Sequence, residues 1–482
     1  MKSSIPFRKL QKICCYGFSI ISFLLVFTYL QSSKPIDRVK DDVEMPYTWK
    51  FENFPVSQKE EFITTLLQNL DQQQTSNHQP KPSLIIQTKP FKFYIYELPD
   101  KFNSDLIQCM KESKSYGSCF DLRNNGMGQT LKREDGYIVM DTNQFSLEVI
   151  IHNQLLHHPY RTLNMSEADV FYVPAYMGLP CFCFKMEERR YEIINDLYEY
   201  LSNQKPFQEL KPHFSTIAKI EREQSCRSCP LLKMKQSRKI TFLAIERETN
   251  KKSRINVGVK SFETIVAPYP SYVHYTKPKI NTPGLHDRNV VVFFAASTRR
   301  SNYFRNCLID QFKNKTKDQY EDFYRIPDNT NIKQVMLVTQ ECLGNHKFTT
   351  IPWMRRSVFC LEPPGDSPTR KSFYDAILSG CIPVLFHYNN GNRVRYPFDS
   401  VLNYTDFTVI LPATHGKEIY PDVFQTLSEI PSTEIQRLYN NLAQVSQYFQ
   451  YSFLSNNSQR EPHPDAIMLI LEEIRKLYKK NK

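Results

Sequence analysis

The sequence predicts an α/β fold, two facing Rossmann-like domains behind an N-terminal transmembrane helix and a stem. Three observations predict it. Short apolar runs alternate with helical periods from Phe91 onward, a Pro-rich segment from Pro268 to Pro283 interrupts that alternation once, and an uncharged apolar stretch lies near the start of the chain. Residues 13–30, ICCYGFSIISFLLVFTYL, form that stretch of 18, just long enough to cross a bilayer at about 1.5 Å per residue. Lys2, Arg8, Lys9 and Lys12 precede it and the flank after it mixes signs, so the positive-inside rule places residues 1–12 in the cytosol and the rest in the lumen. A cleaved signal peptide is the rival reading, but its apolar core is usually shorter, and Tyr29, Leu30 and Gln31 do not make a small-residue cleavage site. Residues 31–90 are polar and rich in Gln, Asn, Lys and Pro, with one amphipathic period from Glu60 to Leu70, and read as a stem.

The first domain is expected over 91–275. Its strands are Phe93–Tyr96, Val170–Val173, Thr241–Ile245 and Thr264–Ala267, with helices near Phe145–Leu156 and Arg189–Leu201. The second, 276–482, opens on Val290–Phe294, apolar enough for a central parallel strand, followed by a helix at about Tyr303–Phe312. A strand at Phe407–Leu411 and two amphipathic helices, Glu434–Phe449 and Asp465–Tyr478, complete it.

The most informative stretch is 357–386, SVFCLEPPGDSPTRKSFYDAILSGCIPVLF. Val358–Leu361 is a buried strand that Pro363, Pro364 and Gly365 end. Asp366, Ser367 and Thr369 are expected caps for a helix through Ser379, and Gly380 stands where a helix exit favours glycine. Ile382–Phe386 is a second buried strand, so the unit is a βαβ crossover whose loop lies at the carboxyl edge of a parallel sheet, where ligands bind. Arg370 and Lys371 fall in the first turn of the helix, whose N–H groups and dipole favour anions.

Composition excludes several classes. The hydrophobic content of 41% with 33 Phe and 28 Tyr supports real cores, and 13 Gly against 30 Pro argues for ordered loops. The net charge of +12 is spread along the chain with no Lys/Arg run interleaved with aromatics, so an anionic small ligand or acidic glycan is expected rather than nucleic acid. No Gly-x-Ser-x-Gly elbow or His-Glu-x-x-His helix marks a hydrolase. Besides Cys14 and Cys15 the chain has cysteines at 109, 119, 181, 183, 226, 229, 307, 342, 360 and 381, an even set suited to disulfides in a lumen. Cys109 with Cys119 is the expected local pair, while Cys360 and Cys381 are expected to be buried or bridged. Cys226 and Cys229 make half a zinc site that no second pair completes, so no metal is expected. Asn164, Asn314, Asn403 and Asn456 begin glycosylation sequons.

The 357–386 stretch resembles the signature of the exostosin-like glycosyltransferases, glycosyltransferase family 47. Weaker matches follow the same order: FKFYIYELPDKFN at 91–103, EADVFYVPAY at 167–176, PHF at 212–214, VAPYP at 266–270, RNVVVFFAASTRRSNYFRNCL at 288–308 and YPFDSVLNYTDFTVIL at 396–411. The resemblance implies a two-domain GT-B, inverting, metal-independent transferase. It would act in the Golgi apparatus as a single-pass type II membrane protein, moving a sugar from a nucleotide-sugar donor, a UDP-sugar, to a polysaccharide or glycoprotein glycan acceptor. It needs no cofactor, and pairing with itself or with another transferase is open. The chain contains no Asp-x-Asp, the metal-holding motif of one-domain transferases, which favours stabilisation of the diphosphate by Arg, Lys and helix dipole. One departure is Ala295 and Ala296, where members commonly have glycine. That departure, with the degenerate copies some relatives carry, keeps two alternatives in view: a catalytically inactive partner or chaperone of an active transferase, or a glycan-binding membrane protein.

Within this reading Arg370 and Lys371 meet the donor diphosphate, with Arg300 and Arg305 completing the clamp. Ser367 and Thr369 either touch phosphate or cap the helix. Asp375 either receives ribose hydroxyls or pairs with Lys371 one turn away. A single displacement needs a general base from the first domain. His213 and Glu221 are the candidates, followed by Asp169, His274 and Glu97; at Asp169 the capping of a loop is the stronger reading.

Overall fold

A computed structural model describes residues 91–112, 121–134, 136–225, 228–247, 264–275, 282–296, 302–315, 333–338, 350–388, 394–413, 420, 422–452 and 465–479. The apolar segment 13–30 and the stem lie outside them, as does Arg300; among the described residues no helix is long and apolar enough to cross a membrane.

Two parallel sheets carry the fold. The first runs β1 (Phe93–Ile95), β4 (Val170–Val173), β5 (His213–Ile220), β6 (Ile240–Glu246), β7 (Thr264–Val266). Helices α1 (Ser104–Glu112), α2 (Leu147–Leu156), α3 (Pro180–Cys183), α4 (Glu187–Ser202), α5 (Lys205–Gln208) and α6 (Glu221–Gln224) connect its strands. The core of this half gathers Leu106 and Met110 of α1, Ile194, Leu197 and Leu201 of α4, and Phe171, Ile217 and Phe242 of the sheet. Four of the expected strands and both expected helices form within a few residues of their anticipated limits. The central strand β5 was not anticipated. Its HFSTIAKI mixes polar with apolar side chains yet is buried throughout, because the sheet supplies partners: Ser215 Oγ donates to Val173 O at 2.8 Å and Thr216 Oγ1 lies 3.2 Å from the Tyr172 hydroxyl.

The second sheet runs β10 (Lys333–Val338), β9 (Val290–Ala295), β11 (Ser357–Glu362), β12 (Ile382–Tyr388), β13 (Val409–Ala413), all parallel. Its helices are α7 (Tyr303–Lys315), α8 (Thr350–Arg355), α9 (Lys371–Leu378), α10 (Val423–Ser428), α11 (Ser432–Val445) and α12 (Ala466–Lys479). After β9 the chain moves outward to β10, then returns to build β11, β12 and β13 on the other side. The strand order therefore reverses between β9 and β11, and such a switch point opens a crevice at the carboxyl ends of the strands. A small antiparallel sheet pairs β2 (Thr130–Glu134) and β3 (Tyr137–Met140), from the chain between β1 and β4, with β8 (Val273–Tyr275), on the segment that joins the two halves.

The amino edge of the second sheet is tied by Arg288, 2% exposed, whose guanidinium donates to the carbonyls of Met354, Ser357, Pro283 and Ser379. Four carbonyl dipoles replace water around the buried charge, though burial still lowers its pKa to about 10. Gly380 has φ +67°, and a Cβ there would meet Arg288 Nη2 at 2.6 Å, so glycine answers both the left-handed helix exit and the close approach.

Three disulfides join described residues. Cys360 of β11 is bonded to Cys381 at the entry of β12, within the βαβ unit. The expected Cys109–Cys119 pair does not form: Cys109 is bonded to Cys183, and Cys181 to Cys229, so the second cysteine of the proposed zinc half-site is engaged. Spacing of ten residues suggested a local loop, but the geometry depends on α3, which carries Cys181 and Cys183 between α1 and the Cys229 segment. Helix α12 reaches back to the first sheet, where the Tyr478 hydroxyl donates to His213 O at 2.6 Å and lies 2.7 Å from Thr241 Oγ1.

Candidate active site

The crevice at the β9/β11 switch point is lined by the loop Pro363–Thr369 that leaves β11 and by the start of α7. Asn302 Nδ2 donates to Pro364 O at 3.0 Å, and Arg305 Nη2 reaches the same carbonyl at 3.4 Å. Gly365 permits this approach, since a Cβ there would lie 2.8 Å from Arg305 Nη2. Arg305 is 3% exposed, and it and Arg370 reach neighbouring carbonyls of the same loop, Pro364 O and Pro363 O.

Between the two arginines β11 ends in Glu362, a carboxylate that sequence reasoning passed over. Ser372 Oγ donates to its Oε2. Burial pushes the Glu362 carboxyl up to about 8, against the opposing pull of Arg370, the Ser372 hydrogen bond and Arg305. A second overlooked carboxylate, Glu246, ends β6 in the first sheet. Its Oε1 accepts from Ser367 Oγ at 2.8 Å, Thr369 Oγ1 at 2.5 Å, Thr369 N at 3.2 Å and the Tyr269 hydroxyl at 2.8 Å, and burial raises its pKa. Both follow one pattern that could have exposed them: an acidic residue directly closing a buried strand, SVFCLE or ITFLAIE, stands at the ligand edge of its sheet.

Ser367 and Thr369 consequently do not cap α9. The N-cap is Arg370, in extended backbone with no side-chain cap bond, and its Nη1 donates to Pro363 O at 3.3 Å. Lys371 opens the helix, its ammonium 2.9 Å from the centroid of the Tyr272 ring. It also pairs with Asp375 at 3.1 Å, where the two side chains are 10% and 5% exposed. Of the alternatives open for Asp375, the structure displays the pairing with Lys371. Asp375 Oδ1 further accepts from Ser271 Oγ at 2.6 Å and Tyr272 N at 2.8 Å, which pins α9 to the joining segment.

The base candidates occupy different places. His213 begins β5, at the amino edge, and is fully buried. Its Nδ1–H donates to Lys211 O at 2.6 Å, Nε2 accepts from the Tyr96 hydroxyl at 2.8 Å, and the ring stacks on Tyr96 and Phe171. Burial pulls its pKa down to about 4, so the imidazole is neutral and held on both nitrogens. Asp169 Oδ2 accepts from Lys92 N at 2.9 Å just before β4, the loop-capping arrangement. His274 is buried in β8 with Nε2 2.8 Å from Thr142 Oγ1, and Glu97 is exposed beyond β1. Glu221 opens α6 at the carboxyl end of β5, and its neighbour Arg222 donates through Nη2 to Asp366 O at 3.3 Å, which puts this turn beside the signature loop. The donor candidates Arg305, Ser367, Thr369, Arg370, Lys371 and Asp375 are therefore brought together, and of the base candidates Glu221 borders them while His213 lies at the far edge.

Two sequon asparagines are exposed in turns. Asn164 and Asn403 each accept from the backbone N–H two residues on and from the hydroxyl of the sequon Ser166 or Thr405. Asn314 falls within α7, and Asn456 lies outside the described residues.

Residues 87–425 match the exostosin GT47 domain. The chain is 28% identical over 410 residues to the probable xyloglucan galactosyltransferase GT17 of Arabidopsis thaliana, covering 81% of this chain and 84% of that protein. It is 28% identical over 346 residues to the xyloglucan-specific galacturonosyltransferase 1 of the same plant, covering 67% of this chain and 46% of that protein. Among solved structures, Anabaena Alr3699/HepE in complex with UDP and glucose aligns over 81% of this chain and 100% of its own at 11% identity and a TM-score of 0.34, a likeness too slight to bear on fold or chemistry.

Proposed function

The chain belongs to the exostosin GT47 family, and from that membership we propose an inverting glycosyltransferase that moves one sugar from a UDP-sugar to a polysaccharide acceptor. The observation that carries the reading is the βαβ unit at the β9/β11 switch point, where Arg305 and Arg370 flank the N-terminal end of α9 at the carboxyl edge of a parallel sheet. A departing nucleoside diphosphate gathers negative charge on its β-phosphate. Fixed guanidinium groups and the positive end of a helix stabilise that charge as it develops, in a site from which water is largely excluded. Lys371 serves chiefly by holding Asp375 and by adding positive potential to the first turn.

In a single displacement the acceptor oxygen attacks the anomeric carbon opposite the leaving diphosphate. The new C–O bond forms as the bond to the β-phosphate breaks, and the acceptor proton passes to a base from the first domain. We assign that proton to Glu221, whose turn adjoins the signature loop. Relatives named for galactosyl and galacturonosyl transfer to xyloglucan direct attention to UDP-galactose and UDP-galacturonic acid as donors and to a β-glucan backbone with side chains as acceptor. The residue 13–30 anchor, the exposed sequons at Asn164 and Asn403 and the three disulfides support placement of the head in the Golgi lumen.

Thermal unfolding of the full-length chain with UDP or GDP, with and without EDTA, tests the site. A shift with UDP that survives chelation and vanishes in Arg370→Ala is expected. Stabilisation only in the presence of a divalent metal would overturn the metal-free reading, and an undiminished shift in Arg370→Ala would remove the signature helix from the donor site.

A further inference from the structure

Glu246 belongs to the first sheet, yet its side chain is seated in the donor loop of the second. It is 5% exposed, and three of the four hydrogen bonds that its Oε1 accepts come from that loop: Ser367 Oγ at 2.8 Å, Thr369 Oγ1 at 2.5 Å and Thr369 N at 3.2 Å. Two hydroxyls and a main-chain N–H next to the N-cap Arg370 are also what an oxygen of a phosphate group requires. The Glu246 carboxylate is the anion that these donors hold.

We infer that Glu246 is a tethered competitor for the diphosphate seat, so that a donor enters by taking its hydrogen bonds and releasing the first sheet from the signature loop. The inference rests on the donor-site reading above and concerns how that same site is controlled. One set of donors serves one anion, and a carboxylate left beside a bound diphosphate would repel it across a buried, weakly screened gap. The Tyr269 hydroxyl, on the segment joining the sheets, is the remaining partner at 2.8 Å and gives the displaced carboxylate a hydrogen bond to keep. A purely structural clamp predicts the opposite sign: if Glu246 only ordered Ser367 and Thr369 for the ligand, removing its charge would weaken nucleotide binding.

Calorimetric titration of the full-length chain with UDP and with inorganic pyrophosphate decides between them. If the latched form predominates without ligand, Glu246→Gln should bind both probes more tightly, roughly tenfold, because the competent fraction rises. Glu246→Asp, which keeps the charge but shortens the reach, should shift in the same direction and provides a second variant if the first does not fold. Affinity unchanged or reduced in a folded variant, with Arg370→Ala still abolishing binding, overturns the latch and leaves the donor site standing. Absence of binding by the wild-type chain to either probe overturns both.

Discussion

Asp375 accepts hydrogen bonds from Ser271 and Tyr272 with one oxygen and faces the Lys371 ammonium with both, inside a region almost closed to water. A charge so placed is stable only while its partners remain, since an unpaired buried ion loses its hydration without compensation. Asp375→Asn should therefore lower unfolding stability by about 3 kcal/mol, read as a reduced urea midpoint. Lys371→Met added to it should restore part of that loss, because the stranded ammonium is removed; purely additive losses would refute the coupling. A single sequence carries the i, i+4 spacing of this pair, and that much was legible. The Ser271 and Tyr272 contacts were not, because they join residues about a hundred positions apart. His213 illustrates the same limit: its residue type suggested proton transfer, but Tyr96 and Phe171, remote in sequence, determine its environment together with the nearby Lys211 carbonyl.

At the scale of elements the βαβ unit was the most legible part of the chain. Its strands are apolar because both faces are covered, its helix shows an apolar stripe, and glycine marks the exit, so pattern, propensity and turn chemistry agree. What the pattern could not supply was the helix start, because Ser367 and Thr369 are excellent caps that a carboxylate from the other sheet engages instead. Strand β5 escaped for a related reason, its serine and threonine being satisfied within the sheet rather than by solvent. The Cys360–Cys381 bond closes a loop with a sequence separation of 21 around this unit. Replacing both cysteines with alanine should cost about 3 kcal/mol through the freer unfolded chain. Chemical denaturation under non-reducing conditions checks it, and an unchanged midpoint would show that packing alone sets the unit's stability.

At the scale of the whole molecule, among the described residues two deeply buried carboxyls are raised to about 8, Glu362 at the end of β11 in the second half and Glu148 on α2 in the first. Glu148 Oε1 accepts from Gly178 N at 2.7 Å, while burial keeps the group protonated well above its ordinary range. A carboxyl whose folded pKa exceeds its unfolded value stabilises the fold fully at low pH, and that contribution is lost as pH rises from the ordinary carboxylate range to about 8. Each such group adds a slope of about 1.4 kcal/mol per pH unit within that window. Unfolding followed from pH 5 to 8 should thus fall less steeply in Glu148→Gln than in the wild-type chain, and parallel curves would contradict the assignment. The alternation of strands and helices and the single Pro-rich interruption were enough to anticipate two parallel sheets, whereas the contacts between them were invisible because no local pattern records which side chain crosses a gap. One such contact has a mechanical corollary. The chain passes from the first sheet to the second through the segment around Ser271, and it returns when Tyr478 of α12 grips the starts of β5 and β6. A body tethered at one point can swivel about three axes, but one tethered at two keeps a single easy rotation, about the line through both, so once the contacts of Glu246 and Arg222 with the signature loop are released the two halves keep a door-like swing rather than a free tumble.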